Sequence, residues 1–252
     1  MNKLPAIITL VPLALGLSAL NASAAIVNYS TSFSSADEVA YVDGDLNGID
    51  GWNSAGTISA TAGAGYVQLG NTQRAIHQAS GGPMAIGDSI TVSILFNFEA
   101  VGVNAVWRIG LTETSSIGAG DARVGAEVRQ GGTTQATGNG FMQLRDQSAG
   151  NSVATTVAYN NTDFHILTTT ITKSATTNLF NVVSDIDGVT TNSYDVTNST
   201  LYEADTVYGT FQQRGGANLG NVDRFSIAQV PEPSIATLLA GALGILMVRR
   251  RG

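Results

Sequence analysis

The sequence predicts an all-β fold in which two antiparallel sheets pack face to face as a sandwich. Segments in which apolar and polar residues alternate recur along the chain, as they do in strands with one buried face. Clusters of Gly, Asn, Ser and Asp separate these segments at near-regular spacing, which is typical of a sandwich. The sequence contains no amphipathic helical stretch of convincing length.

The segment 90–98 alternates most strictly, and its apolar residues fall on one face, which must meet a core. These residues are Ile90, Val92, Ile94, Phe96 and Phe98. Residues 105–112 are more continuously apolar, which predicts a strand that is buried on both faces. Further candidate strands lie at 26–33, 57–69, 74–78, 123–129, 140–145, 153–159, 164–172, 178–184, 190–196, 207–213 and 222–227.

Turn signals separate these candidate strands. The pair Asp187-Gly188 predicts a tight hairpin, because both central residues of such a turn need a positive φ, which Asp and Gly tolerate. The pairs Gly131-Gly132 and Gly215-Gly216 are further hairpin signals. The glycine-rich stretches 115–120 and 131–140 are therefore predicted to be loops within one domain.

Residues 1–24 have the pattern of a secretory signal peptide, which would form a short helix before its removal. Lys3 supplies the positive start, and an apolar region follows. The small residues at 22–24 predict cleavage between Ala24 and Ala25. An uncleaved membrane anchor is the alternative. The predicted folded domain is therefore 25–229.

Residues 230–252 form a separate tail. Pro231, Glu232 and Pro233 should stay extended, because proline fixes φ, lacks an N–H and disfavours a helical residue before it. This leaves an accessible strip of backbone, which is the form that a processing enzyme needs.

An uncharged apolar run follows and predicts a short C-terminal transmembrane helix. From 234 to 248 it is shorter than the roughly 20 residues that span a bilayer comfortably. Arg249, Arg250 and Arg251 end it, and positive charge beside a span favours the cytoplasmic side. A buried core helix is the alternative, but it would not end in three adjacent arginines at the chain terminus.

This order of a Pro-Glu-Pro motif, a short span and an arginine-rich end resembles the PEP-CTERM sorting signal of Gram-negative bacteria. The resemblance implies export through the secretion machinery and transient anchoring in the inner membrane. It also implies recognition by a membrane-embedded exosortase and transfer to the cell surface or to exopolysaccharide, as in the extracellular matrix of a biofilm.

The predicted domain is acidic and carries few charges. It contains 18 acidic and 8 basic residues, a formal charge of −10, whereas the whole chain carries −7. This balance argues against nucleic acid or anionic membrane as a partner. The chain has no cysteine, which excludes a disulfide framework, a thiolate zinc site and a cysteine nucleophile.

Residues 41–52 contain a Gly-x-Leu-x-Gly-x-x-Gly-Trp pattern that begins at Gly44. The pattern is similar to the opening of concanavalin A-like (LamG-type) sandwich domains of exported bacterial proteins. Residues 164–188, with a hydrophobic strand and then a strand that turns at Asp-Gly, are also similar, and 221–225 would be the closing strand. The resemblance implies a concanavalin A-like jelly roll. Another jelly roll or a β-helix is the alternative.

The same loop is a candidate calcium site. Asp43, Asp45 and Asn47 supply oxygens at alternate positions before a glycine, as the first half of a calcium loop does, and Asp50 could add a fourth. The pattern departs at Ser54, where a bidentate Glu would be expected. A turn-rich surface loop is the alternative. No other cofactor is predicted.

The two tryptophans receive different predictions. Trp52, beside Gly51 in the predicted loop, is a candidate exposed ring that could stack on a sugar. Trp107, inside an apolar segment, is predicted to lie in the core. His77 and His165 are the only histidines. His165, between Phe164 and Ile166 in a candidate strand, is predicted to be a strand-face or hydrogen-bonded core residue rather than a ligand.

No catalytic residue is predicted. A sandwich glycosidase needs two carboxylates roughly 5–10 Å apart, and the Glu-x-Asp-x-Glu pattern of concanavalin A-like glucanases is absent. Asp185 and Asp187 are the nearest pair but lie at a predicted hairpin end, and Glu127 with Arg129 indicates an ion pair on one face. The leading hypothesis is a non-catalytic structural or glycan-binding surface protein, and a glycan-active hydrolase is the alternative.

Overall fold

The computed structural model describes residues 28–37, 39–70, 72–98, 105–115, 124–131, 139–146, 155–160, 163–214 and 220–230. The predicted signal peptide and the predicted tail beyond Val230, with their predicted helices, lie outside these ranges. Within these ranges, no helix is long and apolar enough to cross a membrane.

Strands dominate the described part of the chain, with one 3-10 turn at Ile49–Gly51 and one short helix, α1, at Ser199–Tyr202. The strands are β1 (Asn28–Thr31), β2 (Gly44–Asp45), β3 (Asn53–Ala55), β4 (Ser59–Thr61), β5 (Tyr66–Leu69), β6 (Arg74–Gln78), β7 (Ser89–Phe98), β8 (Val106–Thr112), β9 (Val124–Gly131), β10 (Asn139–Asp146), β11 (Thr155–Asn160), β12 (His165–Lys173), β13 (Leu179–Ile186), β14 (Thr190–Thr197), β15 (Tyr208–Arg214) and β16 (Gly220–Val230).

Two antiparallel sheets result, which confirms the predicted class. The nine-stranded sheet has the order β14-β13-β12-β7-β16-β5-β4-β2, and β1 also pairs with β16. The seven-stranded sheet has the order β11-β10-β9-β8-β15-β6-β3. The closing strand β16 lies beside β7 in the middle of its sheet, so the end of the domain completes the core.

The core lies between the two sheets. The predicted apolar face of β7 is fully buried in it, as strict alternation requires. Phe96 of β7 meets Trp107 of β8 with ring centroids 5.9 Å apart. Phe225 of β16 meets Phe211 of β15 at 5.4 Å. Aromatic contacts of this kind join the sheets, and β8 is buried on both faces except at Arg108, close to the prediction.

The hairpin predictions have mixed outcomes. Asp187 and Gly188, at φ 56° and 67°, join β13 to β14 as predicted. The prediction for Gly215-Gly216 is wrong, because the strands on either side, β15 and β16, belong to different sheets. The single strand predicted at 57–69 is instead the β4–β5 hairpin, which turns where Gly65 adopts φ 70°. Gly131 is the last residue of β9 and pairs with Phe141 of β10, whereas Gly132 lies outside the described residues, so the hairpin predicted at this pair stays a prediction.

Candidate functional site

Trp52 is buried, so the prediction of an exposed ring is wrong. Its side chain is 2% exposed. The ring packs edge-on against Phe211 and Phe225, at 5.4 and 4.9 Å between centroids. The reason lies in the preceding turn, where Asp50 and Gly51 both have positive φ and the N–H of Gly48 bonds the carbonyl of Trp52. This turn directs the ring inward, where no sugar can stack on it.

A hydrogen-bonded cluster closes over Trp52. The indole N–H donates to the hydroxyls of Tyr29 and Tyr41, at 3.0 and 2.9 Å. Tyr29 donates to Asp50 Oδ2 at 2.8 Å and stacks on His77, with ring centroids 3.7 Å apart. Burial is the main reason why the pKa of Tyr29 is raised and that of His77 lowered. These contacts attach the segment 41–52 to β1 and β6.

The candidate calcium ligands all accept hydrogen bonds from the protein. The donors are the N–H of Ala62 for Asp43, of Asn47 for Asp45 and of Ser54 for Asn47, and two tyrosine hydroxyls for Asp50. Across the described ranges, no group of three or more His, Cys, Asp or Glu side chains is arranged to hold a metal ion. Calcium binding at this loop stays a prediction.

The carboxylates of Asp185 and Asp187 hold the hairpin together. Asp185 Oδ1 accepts the N–H of Gly188 at 2.9 Å. Asp187 accepts the N–H of Ile166 at 2.8 Å and contacts His165 Nδ1 at 2.7 Å. Asp185 therefore stabilises the turn, and Asp187 joins the turn to the start of β12. His165, predicted to be a strand-face or hydrogen-bonded core residue, is the first residue of β12 and contacts Asp187.

A different set of side chains meets on the outer face of the seven-stranded sheet. Along β8, Trp107, Ile109 and Leu111 belong to the core, so the alternate side chains point away from it. The register aligns these outward side chains with those of β6, β9 and β15. We call this surface the arginine face, and its residues are Arg74, Ile76, Val106, Arg108, Gly110, Thr112, Gly125, Glu127, Arg129, Tyr208, Thr210, Gln212 and Arg214.

The register arranges the charged residues of the arginine face in two rows. The first row crosses four strands and consists of Arg74, Gln212, Arg108 and Glu127, each opposite the next. Arg108 bonds Glu127 through Nε and Nη2, both 2.8 Å from Oε2. The second row consists of Arg214, Val106 and Arg129.

Glycines form the floor beside the first row. Gly110 of β8 lies opposite Gly125 of β9, and Thr210 continues this row on β15. A Cβ on Gly125 would overlap the carbonyl oxygen of Ile109 and come within 2.6 Å of the Gly110 Cα. The two backbones therefore approach as only glycine allows.

The arginine face is recessed, because several outward side chains are nearly buried. Ile76 and Val106 are buried although they stand apart from the core cluster. Thr112 is fully buried and Gln212 is 6% exposed, yet Thr112 Oγ1 and Gln212 Oε1 have no hydrogen-bond partner among the described residues. A buried polar group without a partner lowers stability by about 1–3 kcal/mol. A water or a ligand that donates a hydrogen bond to either oxygen would remove that cost.

Sequence reasoning assigned no role to this face beyond Glu127 and Arg129, which do lie on one face as predicted. Glu127 makes its ion pair with Arg108 of the neighbouring strand. Arg108 is the one charged residue in an apolar strand, and this could have predicted that its side chain points away from the core. The sequence could not predict that Arg74 and Gln212 align with Arg108, because β6, β8 and β15 are distant from one another in sequence.

No protein-family model matches this chain, and no curated protein matches it either. Its fold is similar to those of solved lectin structures. Peanut lectin is 14% identical, with 83% of this chain and 100% of that chain covered at a TM-score of 0.44. Lectin II from Ulex europaeus is 13% identical, with coverage of 81% and 98% at 0.46.

Lectin I-B4 from Griffonia simplicifolia is also 13% identical, with 81% of this chain and 99% of that chain covered at a TM-score of 0.46. These neighbours are legume-type lectins, which have a concanavalin A-like sandwich fold. The similarity carries no inference about what this chain binds, which must come from the arginine face itself.

Proposed function

We propose that this chain is an exported surface or matrix protein whose β-sandwich binds glycan, without catalysis, on the arginine face. The observation that carries the proposal is the pair of buried oxygens, Gln212 Oε1 and Thr112 Oγ1, that lack partners among the described residues. A sugar hydroxyl can donate to such an oxygen and accept from a guanidinium N–H at the same time. A face that offers both kinds of group suits a polyhydroxylated ligand.

The shape of the face supports the same ligand class. Gly110 and Gly125 bring the backbones of β8 and β9 close together, so no side chain projects from this part of the face. Val106 and Ile76 add apolar surface beside it. Ligand sites commonly combine such surface with a few polar groups that fix orientation. The excess of acidic residues elsewhere disfavours nucleic acid as the ligand.

A glycan array probed with the exported chain tests this proposal. Gln212→Met keeps the volume of the side chain and removes the unpartnered oxygen. We expect it to abolish array binding while the melting temperature stays equal or rises, because a buried unsatisfied acceptor is lost.

Gln229→Met is the matched control. Gln229 is also buried, and its amide atoms also lack partners among the described residues, but it lies on β16 of the other sheet. Array binding should survive this change. Equal loss in both variants, or no binding by the unmodified chain, would contradict the proposal. Repeating the array with calcium and with a chelator tests the calcium hypothesis for the 43–50 loop separately.

The non-catalytic assignment rests on the count of carboxylates. Glu127 is the one carboxylate among the described residues of the arginine face, and it is paired with Arg108. Glycoside hydrolysis ordinarily uses two carboxyl groups. A reducing-end assay on each glycan that binds should therefore detect no release. Release that Glu127→Gln abolishes would instead establish the hydrolase alternative.

Export and sorting form the second part of the proposal. The signal-peptide pattern and the tail with Pro231, Glu232 and Pro233 support processing by an exosortase after transient anchoring in the inner membrane. The exposure of Val230, where β16 ends, also supports it, because the motif follows directly. Mass spectrometry of the surface-released protein should find a chain that begins at Ala25 and lacks the residues after the motif. A mature chain ending at Gly252 would overturn this part.

A further inference from the structure

We propose that a second copy of this chain binds on the outer face of the nine-stranded sheet, so that two chains pack back to back as a symmetric dimer. The surface consists of the outward side chains of residues 224–230, 89–95, 166–172 and 181–185, which belong to β16, β7, β12 and β13. We call it the hydroxyl face. It belongs to the other sheet from the arginine face, so the dimer does not depend on glycan binding.

The middle of the hydroxyl face carries small side chains whose polar groups bond within the sheet. The register sets Ser93 opposite Thr168 and Thr91 opposite Thr170, and Ala228 continues the second of these rows. The hydroxyl oxygens of the two pairs are 3.1 and 2.9 Å apart. The remaining O–H of each pair can donate to a facing pair. A second sheet can therefore cover these rows without leaving a buried hydroxyl unpaired, which would be costly.

Exposed apolar side chains lie beside the polar rows. Ile166 of β12 is 45% exposed, and Phe164, just before the strand, is 42% exposed. Leu95 lies opposite Ile166 and is partly exposed. Val183 of β13 adds a further side chain that is 44% exposed. Neighbouring exposed apolar side chains are typical of interaction surfaces, and their burial favours association.

One row of the hydroxyl face is complementary to itself. Arg224 lies opposite Leu95, and Leu95 lies opposite Ile166. Beyond Ile166, the N–H of Asp187 bonds the Ile166 carbonyl at 2.9 Å. The row thus runs from a base through two apolar residues to an acid. A twofold axis along the strands, between β7 and β12, sets Leu95 on Ile166 of the second copy and Arg224 near its Asp187. It also keeps the strands of the packed sheets nearly aligned, as is usual.

Charges on the two sides of the hydroxyl face favour this axis. Arg224 is exposed on the β16 side, and Asp223, at the bulge beside it, is less exposed. Asp185 and Asp187 lie on the β13 side. The axis sets Asp185 opposite Ser226 of the second copy, one row or about 7 Å from Arg224. An axis across the strands would instead set the acidic side against itself, which is unfavourable.

The area of the hydroxyl face suits a weak but specific dimer. Four strands about 4.8 Å apart and about 23 Å long present about 450 Å² on each copy. The flanking strands β14 and β1 extend the contact to about 1,000–1,200 Å² in total. This lies at the lower end of specific interfaces. We therefore expect a dissociation constant in the micromolar range.

The dimer has a consequence for the arginine face. Because the hydroxyl faces meet at the centre, the two arginine faces would point to opposite sides of the dimer. If each binds glycan, the dimer can join two polysaccharide chains or bind one polymer with higher avidity. This consequence rests on the proposed function, whereas the dimer itself does not.

Sedimentation velocity of the exported chain over a concentration series tests the dimer. We expect a monomer–dimer equilibrium. Ile166→Lys places a charge against Leu95 of the second copy, and Arg224→Glu sets acid against acid, so each should weaken dimerisation at least about tenfold. Both positions are exposed, so the fold should persist, and thermal unfolding checks this. If Ile166→Lys does not fold, Arg224→Glu carries the test.

Val42→Lys is the matched control for Ile166→Lys. Val42 is 64% exposed and lies just before β2, at the far edge of the same sheet. This change should alter the dissociation constant less than about twofold. A chain that stays monomeric at about 100 µM would overturn the dimer. Equal effects of Ile166→Lys and Val42→Lys would overturn the hydroxyl face as its interface.

A single introduced thiol tests the orientation, because the chain has no cysteine. Across the proposed axis, Thr168 and its counterpart are offset by one strand spacing, about 5 Å. Thr168→Cys should therefore be linked by a short bismaleimide. Ser59→Cys, on β4 of the same sheet, is offset from its counterpart by about 34 Å and should not be linked. Linkage at Ser59→Cys alone would overturn the arrangement.

The outcomes separate the dimer from the proposed function. A monomeric chain that binds the glycan array overturns the dimer and leaves glycan binding in place. A dimer that Arg224→Glu dissociates, together with a blank array, supports the dimer and overturns glycan binding.

Discussion

The outer faces of the two sheets satisfy their polar groups in different ways. On the nine-stranded sheet, outward hydroxyls of β7 pair with those of β12. The pairs are Ser89–Thr172 at 2.8 Å, Thr91–Thr170 at 2.9 Å and Ser93–Thr168 at 3.1 Å. These side chains are partly exposed to solvent. On the arginine face, by contrast, Thr112 and Gln212 are buried and keep an oxygen without a described partner.

This difference separates the paired hydroxyls of β7 and β12 from the buried, unpartnered oxygens of the arginine face, although Asn97 near the end of β7 also keeps an Oδ1 without a described partner. Cross-strand hydroxyl pairs stabilise a sheet modestly and complete each other's hydrogen bonds. On the arginine face, the buried oxygens of Thr112 and Gln212 have no partner among the described residues, so a group from outside these residues would complete their hydrogen bonds. If this distinction is correct, equivalent changes on the two faces should have unequal effects.

The largest contrast is expected at Gly125. Gly125→Ala would put a methyl group into the backbone of β8, so the two strands must separate. We expect a loss of about 3 kcal/mol or more in the free energy of unfolding, measured with urea. Ser93→Ala, on the other face, removes one partly exposed hydroxyl pair and should cost less than about 1 kcal/mol. Similar losses of stability in Gly125→Ala and Ser93→Ala would contradict the proposed difference between the two faces.

The next largest loss of stability is expected when the ion pair between Arg108 and Glu127 is broken. Arg108→Met leaves the Glu127 carboxylate, 11% exposed, without its partner, and should cost about 2 kcal/mol. The double variant Arg108→Met with Glu127→Gln should recover most of that loss, because the stranded charge is gone. Additive losses in this double-mutant cycle, followed by urea unfolding, would show that the two residues are not coupled.

Two threonine substitutions compare the two faces directly, with smaller expected losses in the free energy of unfolding. Thr210 is fully buried, and its hydroxyl donates to the carbonyl of Ala75 at 3.0 Å. Thr210→Val should cost about 1 kcal/mol, within the usual contribution of a hydrogen bond. Thr170→Val breaks a partly exposed pair with Thr91 and should cost roughly half as much. The reverse order in thermal unfolding would contradict the contrast.

The smallest effect concerns pH and the inner side of the seven-stranded sheet. Burial lowers the pKa of His77, so the folded chain binds a proton there more weakly than the unfolded chain. Stability should therefore fall as pH drops below the unfolded histidine value of about 6.5, and level off below the folded pKa. His77→Gln should flatten the dependence of the melting temperature on pH in this window. An unchanged slope would exclude His77 as its source.

Local signals in the sequence predicted much of the fold. The alternation at 90–98 fixed which face of β7 is buried, and Asp187-Gly188 specified its hairpin. The hairpin predicted at Gly215-Gly216 was wrong, because a glycine pair indicates a turn but does not indicate whether the next strand returns to the same sheet. Trp52 misled because its burial depends on Phe211 and Phe225, which are more than 150 positions away.

The candidate site was harder to predict for the same reason. Arg74 and Gln212 lie in short candidate strands and Arg108 in a nearly continuous apolar one, and only the strand order β8-β15-β6 aligns them. That order depends on non-local pairing, which no short motif encodes. The buried position of Gln212 likewise follows from the recess and not from its neighbours in sequence.

The most direct measurement is the side-chain amide signal of Gln212 in a ¹H–¹⁵N spectrum of the exported chain, titrated with an oligosaccharide that binds on the glycan array and assigned with Gln212→Met. Binding on the arginine face predicts a saturable shift of the Gln212 signal, while that of Gln229 on the other sheet stays in place. An unchanged Gln212 signal while the oligosaccharide binds, or a shift at Gln229 alone, would contradict the assignment of the arginine face as the ligand surface.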